Sequence, residues 1–287
     1  MTRNGNLFVP LAGHGRNINH DPKSRAYRAS RAGEVALPKT VMWEPRIQPL
    51  DQGSLGRCVP TAGTAMLACD PFWDTLDKGL QRQLSVPVTA ELFAVQAYRD
   101  VTALDPFLGT WEPDDTGSDG LSLWKLYRAR GYVGGSEHVM NIDDAHVAIQ
   151  KGPYPIGISL LADMERPNAV GVVSVSGANR GGHEVLLYGY DAARDLWWCR
   201  NSWGRDWGFY GDFAFDTPGY QKLMRMQADG VVMTPTNLPT PQPIAPTDPL
   251  DTFPYEEMDS WLMKVSRKIY RSKYEHAAAT AYAGWRV

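Results

Sequence analysis

Asp51-Gln52-Gly53-Ser54-Leu55-Gly56-Arg57-Cys58 runs straight into Val59-Pro60-Thr61-Ala62-Gly63-Thr64-Ala65-Met66-Leu67-Ala68, and the reading of this stretch decides the fold. The second half is rich in small residues and reads as a helix. Proline is tolerated only in a helix's first turn, where its missing N–H is no loss. Pro60 therefore puts Cys58 at the helix start. That position has chemical weight, because a cysteine attacks as thiolate and a helix N-terminus favours the anion. Gly53 and Gly56 fit a tight loop ahead of it. Far downstream stand Gly181-Gly182-His183 and Asn201-Ser202-Trp203-Gly204. Between them Glu184-Val185-Leu186-Leu187-Tyr188-Gly189-Tyr190 reads as a buried strand ending in a turn.

This set, in this chain order, resembles the papain family of cysteine peptidases, peptidase C1, in a divergent bacterial or bacteriophage-type form. Gln52 precedes Cys58 by six residues, Asn201 follows His183 by 18, and 125 residues separate Cys58 from His183. That last interval is slightly short of the roughly 130–150 residues usual for such enzymes. The resemblance implies that Cys58 is the nucleophile and His183 the base and then the acid. It implies that Asn201 fixes the imidazole tautomer. It also gives Gln52 a share in the oxyanion hole with the cysteine's own N–H. Trp203 would cover the His183–Asn201 hydrogen bond, and Gly56 would support the loop. Arg205-Asp206-Trp207-Gly208-Phe209-Tyr210-Gly211-Asp212-Phe213 looks like the family's continuation, and Leu37-Pro38-Lys39-Thr40-Val41-Met42-Trp43 like the start of a mature domain. The fold implied is α+β and two-lobed, with a helical N-terminal lobe, a β-barrel-like C-terminal lobe and the active-site cleft between them.

The chain departs from the family pattern at several points. Leu55 stands where a disulfide cysteine is common, and Val59 replaces an aromatic. The family's glycine-rich cleft segment is represented at most by Thr116-Gly117-Ser118-Asp119-Gly120-Leu121. Gly120 and Gly182 are the expected cleft-lining positions.

At 287 residues the chain can bury a full core. A net charge of −3 gives no pull toward nucleic acid or membrane. Three cysteines cannot all pair. On one helix Cys58 and Cys69 would lie roughly 16 Å apart along the axis, too far to bridge, and Cys199 reads as a buried strand thiol. No disulfides are expected, which fits a reducing compartment or a particle assembled inside a cell. The N-terminus lacks a hydrophobic signal core and no run approaches a membrane span. The expected location is cytoplasmic or virion-associated.

Four regions are expected. Residues 1–36 form a basic arm in which Arg3, Arg16, Lys23, Arg25, Arg28 and Arg31 face only Asp21 and Glu34. It reads as a flexible or surface-docked arm, or as a short segment that blocks the cleft or binds an acidic partner. Residues 37–233 are the catalytic domain. Within them 58–110 and 121–131 read as helical, with Gly131 as a stop. Ile156–Leu160 and Ala169–Val175 read as strands. Helices first and strands later indicate α+β. Residues 234–254 carry seven prolines and read as a semi-rigid linker. Residues 255–287 contain Met258, Trp261, Leu262, Val265 and Ile269 at helical spacing beside Lys264, Arg267, Lys268 and Arg271. That amphipathic basic helix is expected to dock back or to bind a partner protein.

The expected activity is hydrolysis of peptide bonds through an acyl-enzyme on Cys58, with a peptide or protein as substrate. Two alternatives stay open: a cell-wall peptide hydrolase, which shares the cysteine-then-histidine order, and a papain-like scaffold serving as a structural or docking component of an assembly. No cofactor or metal is expected. His183-Glu184 lacks a second histidine four residues on, and there is no phosphate-binding loop or dinucleotide fingerprint. His14, His20, His138, His146 and His276 show no metal spacing.

Overall fold

The computed structural model of the chain describes residues 14–30 and 39–236. The proline-rich linker beyond 236 and the expected C-terminal helix lie outside the described residues. A short helix, α1 (Pro22–Arg25), belongs to the N-terminal arm, and β1 (Val41–Met42) opens the main body. Helices then dominate: α2 (Cys58–Leu67), α3 (Lys78–Ser85), α4 (Pro87–Thr102) and α5 (Gly120–Ala129). The second half reads β2 (Ser136–Val139), α6 (Ile142–Lys151), β3 (Tyr154–Leu161), β4 (Asn179–Asp191), β5 (Leu196–Arg200), β6 (Asp212–Asp216), α7 (Thr217–Arg225) and β7 (Asp229–Met233).

Local sequence explains most helix ends. Asp77, Asp119, Asn141 and Asp216 cap α3, α5, α6 and α7, each side chain accepting a first-turn N–H. Pro87 opens α4. Gly131, with φ +73°, follows α5 in the left-handed region that glycine tolerates. Helix α2 differs: Arg57 precedes it and makes no side-chain cap. Its first-turn N–H groups are thus left to the groups gathered there.

The strands form one antiparallel sheet in the order β2-β7-β3-β4-β5-β6, with β1 on β4. Its two faces feed two cores, because successive strand side chains point opposite ways. Leu186 and Tyr188 of β4, Trp198 of β5, Ala214 of β6, and Val231 and Met233 of β7 pack with α2, α4 and α5. Their neighbours Val185, Leu187, Trp197, Cys199, Phe213, Phe215 and Val232 fill the barrel-like half with residues of β3, α6 and α7. The fold is α+β and papain-like, with the helical lobe on one side of the sheet.

Two expectations need correction. Ala169–Val175 is not a strand. Gly171 turns the chain at φ +83°, and pairing is limited to the single bridge Val172 to Ala214. Apolar alternation there serves burial of Val173, not a ladder. Helix α2 also ends at Leu67, so Cys69 is not on it. All three cysteines are free and buried.

The described part of the arm is docked. It runs beside the edge strand β2: His138 N–H donates to Tyr27 O at 2.7 Å, and Ala29 N–H to His138 O at 2.9 Å. Arg28 meets the fully buried Asp144 at 3.0 Å. The arm therefore covers an edge that would otherwise expose unpaired backbone groups.

Candidate active site

Cys58 opens α2 with no exposed surface. Its sulfur accepts backbone hydrogen bonds from Glu184, Gly15 and Val59. Because Glu184 follows His183 directly, the helix start and β4 meet at the sulfur. Burial pushes the thiol up to about 12, and the Glu184 carboxyl adds to the rise.

His183 lies on β4 opposite Ile158 of β3 and is fully buried. Its Nε2 is 2.7 Å from Asn201 Oδ1. The same Oδ1 accepts the Ser202 N–H at 2.8 Å. A backbone N–H can only donate, so the Asn201 oxygen is the acceptor and Nε2 must carry the proton. The neutral ring then presents its lone pair at Nδ1, which is buried and has no hydrogen-bond partner among the described residues. Trp203 stacks on the ring at 5.1 Å and 28°. Burial pulls the imidazole down to about 4 against the support of Asn201.

Gln52 is clamped on both sides. Its N–H donates to Ser202 O at 2.8 Å, its side-chain Nε2 donates to Leu55 O at 2.8 Å, and Ser202 Oγ donates to its Oε1. A bridge between Asp51 and Trp203, and a Gly204 N–H bond to Leu50 O at 3.0 Å, extend the seam. The loop before Cys58 and the Asn-Ser-Trp-Gly run are thus one joined piece. Arg57, wholly buried, holds the loop from behind through Asp51 O at 2.6 Å, Thr61 Oγ1 at 3.1 Å and the Glu91 carboxylate. Gly56 N–H donates to Asp115 at 2.9 Å, and Tyr98 donates to the same carboxylate at 2.6 Å.

The N-terminal arm crosses this site. Ser118 N–H donates to Gly15 O and Asn17 N–H to Ser118 O, both at 2.7 Å, which pairs Arg16 with Ser118 in parallel. Arg16 N–H donates to Gly182 O at 3.2 Å. Gly15 lies so close to the loop that a Cβ on it would overlap the Gly56 carbonyl. The His14 ring sits 5.9 Å from His183 and 6.2 Å from Trp203.

All expected site residues therefore gather in one region. Cys58, His183, Asn201, Gln52, Trp203 and Gly56 form its centre. Gly182 touches Arg16, and Gly120 approaches Glu184, both in a recess at its side. Sequence reading missed Glu184, Arg57, Glu91, Asp115 and the segment His14–Asn17. The one available signal was Gly15-Arg16, a bare glycine beside a cation in a segment otherwise read only for its charge. Among the described residues no group of three His, Cys, Asp or Glu side chains could hold a metal ion.

Residues 125–229 match the family described as papain family cysteine protease, a span that contains His183 and Asn201 and begins after Cys58. Cysteine proteinase B of Leishmania mexicana is 26% identical over 214 residues, 64% of this chain and 46% of that protein. The chain thus spans about half the length of the curated relatives it matches. Among solved structures, xylellain, a cysteine protease from Xylella fastidiosa, superposes with a TM-score of 0.61 at 17% identity, over 79% of this chain and 98% of that one. A procathepsin B of Trypanosoma congolense gives 0.54 at 14% identity, over 78% and 87%.

Proposed function

We propose that this chain, a papain-like protein of the peptidase C1 family, is a cysteine peptidase held in a closed, latent state by its own residues 14–17. The observation that carries the reading is the His183–Asn201–Ser202 arrangement, which leaves a buried imidazole with its basic nitrogen free beside a cysteine at a helix N-terminus. In the open form His183 Nδ1 takes the Cys58 proton, and the ion pair is favoured by the α2 terminus. The thiolate attacks the peptide carbonyl. The Cys58 N–H and the Gln52 side chain hold the oxyanion. The imidazolium then protonates the leaving amine, and water with His183 as base releases the acyl group. Residues 37–233 are the catalytic unit in this reading.

Latency follows from occupancy. Gly15 caps the sulfur, Arg16 takes the backbone positions at Gly182 and Ser118, and His14 shields His183. A substrate peptide needs the same edges. The cell-wall and scaffold alternatives have no specific observation in their favour. Substrates are peptides or proteins.

The test is labelling by an epoxysuccinyl thiol inhibitor followed by intact mass. Wild type should label slowly. Gly15→Val, whose side chain cannot fit against Gly56, should label at least about 10-fold faster, since a forced overlap of this kind typically costs 1–3 kcal/mol. Cys58→Ala should not label in either background. A folded Gly15→Val chain that never labels would sink the reading.

A further inference from the structure

Gly56 is buried, and its N–H meets both oxygens of Asp115, Oδ1 at 2.9 Å and Oδ2 at 3.1 Å. That N–H belongs to the same planar peptide unit as the Leu55 carbonyl. The unit is trans, so its N–H and C=O point in opposite directions. Leu55 O accepts the Gln52 side-chain Nε2 at 2.8 Å and the Arg57 N–H at 2.8 Å. One rigid plate thus has Asp115 at one edge and the proposed oxyanion side chain at the other. An amide nitrogen carries two hydrogens. Fixing one of them on Leu55 O fixes the direction of the other.

Asp115 is itself held. Tyr98 O–H donates to its Oδ1 at 2.6 Å, and the Tyr98 oxygen accepts the Gly117 N–H at 2.8 Å. A backbone N–H only donates, so the hydroxyl proton is committed to Asp115. Tyr98 is fully buried on α4. Glu91, seven residues earlier on that helix, accepts the Asp51 N–H at 2.7 Å and pairs with Arg57. Seven residues are close to two helical turns, so both groups face the loop from one side of α4. The helix therefore grips the loop at both ends, directly at Asp51 and through Asp115 at Gly56. The space at Gly56 is closed by the same pair: a Cβ there would lie 2.8 Å from Asp115 Oδ1 and 3.5 Å from the Tyr98 hydroxyl. Gly117 precedes Ser118, whose N–H and carbonyl pair with Gly15 and Asn17 of the arm. The tie thus joins the loop that leads into Cys58 to the edge that receives an extended chain. Nothing covalent shares the task, since all three cysteines are free.

We propose that Asp115 is a positioning residue for peptide hydrolysis: it aligns the Gln52 side chain through the Leu55–Gly56 peptide, and through Tyr98 it holds that peptide in register with the edge at Ser118. The proposal rests on the cysteine peptidase reading. Asp115 touches no reacting atom. Without it the buried Gly56 N–H has no acceptor, a cost that turning the peptide would relieve. A turned peptide carries Leu55 O away from Gln52, and the oxyanion loses the alignment of one of its two donors. The thiolate is spared, because its formation depends on His183 and the α2 terminus and not on Gln52. Oδ1 alone meets both Gly56 and Tyr98, so the position demands one acceptor oxygen rather than a charge.

The test uses the full chain in the Gly15→Val background. It measures kcat and KM on a fluorogenic peptide selected from a library, and the rate of Cys58 alkylation by iodoacetamide, read by intact mass. Asp115→Ala should lower kcat about 10-fold or more, given that outright loss of an oxyanion donor costs roughly 10²–10³. Alkylation forms no oxyanion, so its rate should not change. Asp115→Asn, which keeps the Oδ1 acceptor, should recover most of kcat. A kcat for Asp115→Ala equal to the parent's would mean that water serves Gly56 as well, and overturns the assignment. Equal losses of kcat and alkylation, the mark of a site that has merely come apart, also overturn it, as does an Asp115→Asn loss as deep as that of Asp115→Ala. Should Asp115→Ala not fold, Tyr98→Phe decides. It takes the acceptor from Gly117 and leaves the one at Gly56, so KM should rise about 3–10-fold, the worth of one hydrogen bond, with little change in kcat. An unchanged KM overturns the assignment. A Gly15→Val parent that hydrolyses no peptide of the library overturns the peptidase reading, and this role with it.

Discussion

Ser202 donates its hydroxyl hydrogen to the side-chain oxygen of Gln52, across 150 residues of chain and in full burial. Ser202 also follows Asn201 and donates its N–H to the Asn201 oxygen. One residue thus positions both Gln52, the proposed oxyanion side chain, and the partner of His183. Ser202→Ala should remove a buried donor to that carboxamide oxygen, at a cost of about 1–3 kcal/mol in stability. Peptide hydrolysis in the Gly15→Val background should fall about 10-fold, mainly in kcat, because a loosened oxyanion donor acts in the transition state. Unchanged kcat with a raised KM would place Gln52 in ground-state binding instead.

Arg57, fully enclosed behind the nucleophile loop, pairs with Glu91, whose side chain is 21% exposed. Removing one partner of such a pair strands the other charge. Glu91→Ala should lower stability by about 3–5 kcal/mol, seen as a drop in the urea midpoint at constant m. Replacing both residues by apolar ones of similar size should recover part of that loss. A Glu91→Ala midpoint equal to wild type would show that water or other groups compensate Arg57.

Much of this site was legible along the chain, for local reasons. Pro60 placed Cys58 at a helix start because a proline has few allowed helical positions, and α2 begins there. The apolar run after His183 fixed β4, and Gly131 ended α5. The failures were non-local. Ala169–Val175 alternates like a strand, yet no neighbour is free to pair with it beyond Ala214. Arg16 looked like one cation among six in a basic arm. Its burial depends on Gly157, Gly182 and Glu184, residues more than 140 positions away. Glu184 reads as the first residue of an apolar strand, and only β3 and α5 reveal the recess it faces.

The Asn201 hydrogen bond assigns the His183 proton to Nε2, and this makes a kinetic expectation. In the Gly15→Val background His183→Ala should lose about 10²–10⁴-fold in kcat/KM, the usual span for a positioned acid–base group. Asn201→Ala should lose less, because the imidazole remains but is free to take the wrong tautomer or to rotate. Adding imidazole should restore part of the His183→Ala activity and none of the Asn201→Ala loss. Equal losses with rescue of neither would point to collapse of the loop rather than to proton transfer.

Closure of the cleft should itself depend on pH, through groups at the site that burial holds uncharged. His183 is lowered from 6.5 to about 4. An opened or unfolded chain binds its proton at higher pH than the closed one does, so this contribution is complete above about 6.5 and fades as pH falls toward 4. Cys58 is raised from 9.0 to about 12. The closed state keeps a proton that the open chain releases, so stability is lost as pH rises from 9 toward 12. Closure should be firmest between these limits. Glu184, raised by burial, pulls the other way on the acid side because its closed form favours the proton. Hydrogen exchange of the Arg16 and Asn17 amides, corrected for intrinsic rates, reads the balance. Protection should drop between about pH 7 and pH 5 in wild type, and His183→Ala should flatten that drop. Protection that falls equally in both chains would assign the acid response to another group, such as Asp229, whose carboxyl, against the upward push of burial, His138 holds below the usual range, and not to the imidazole.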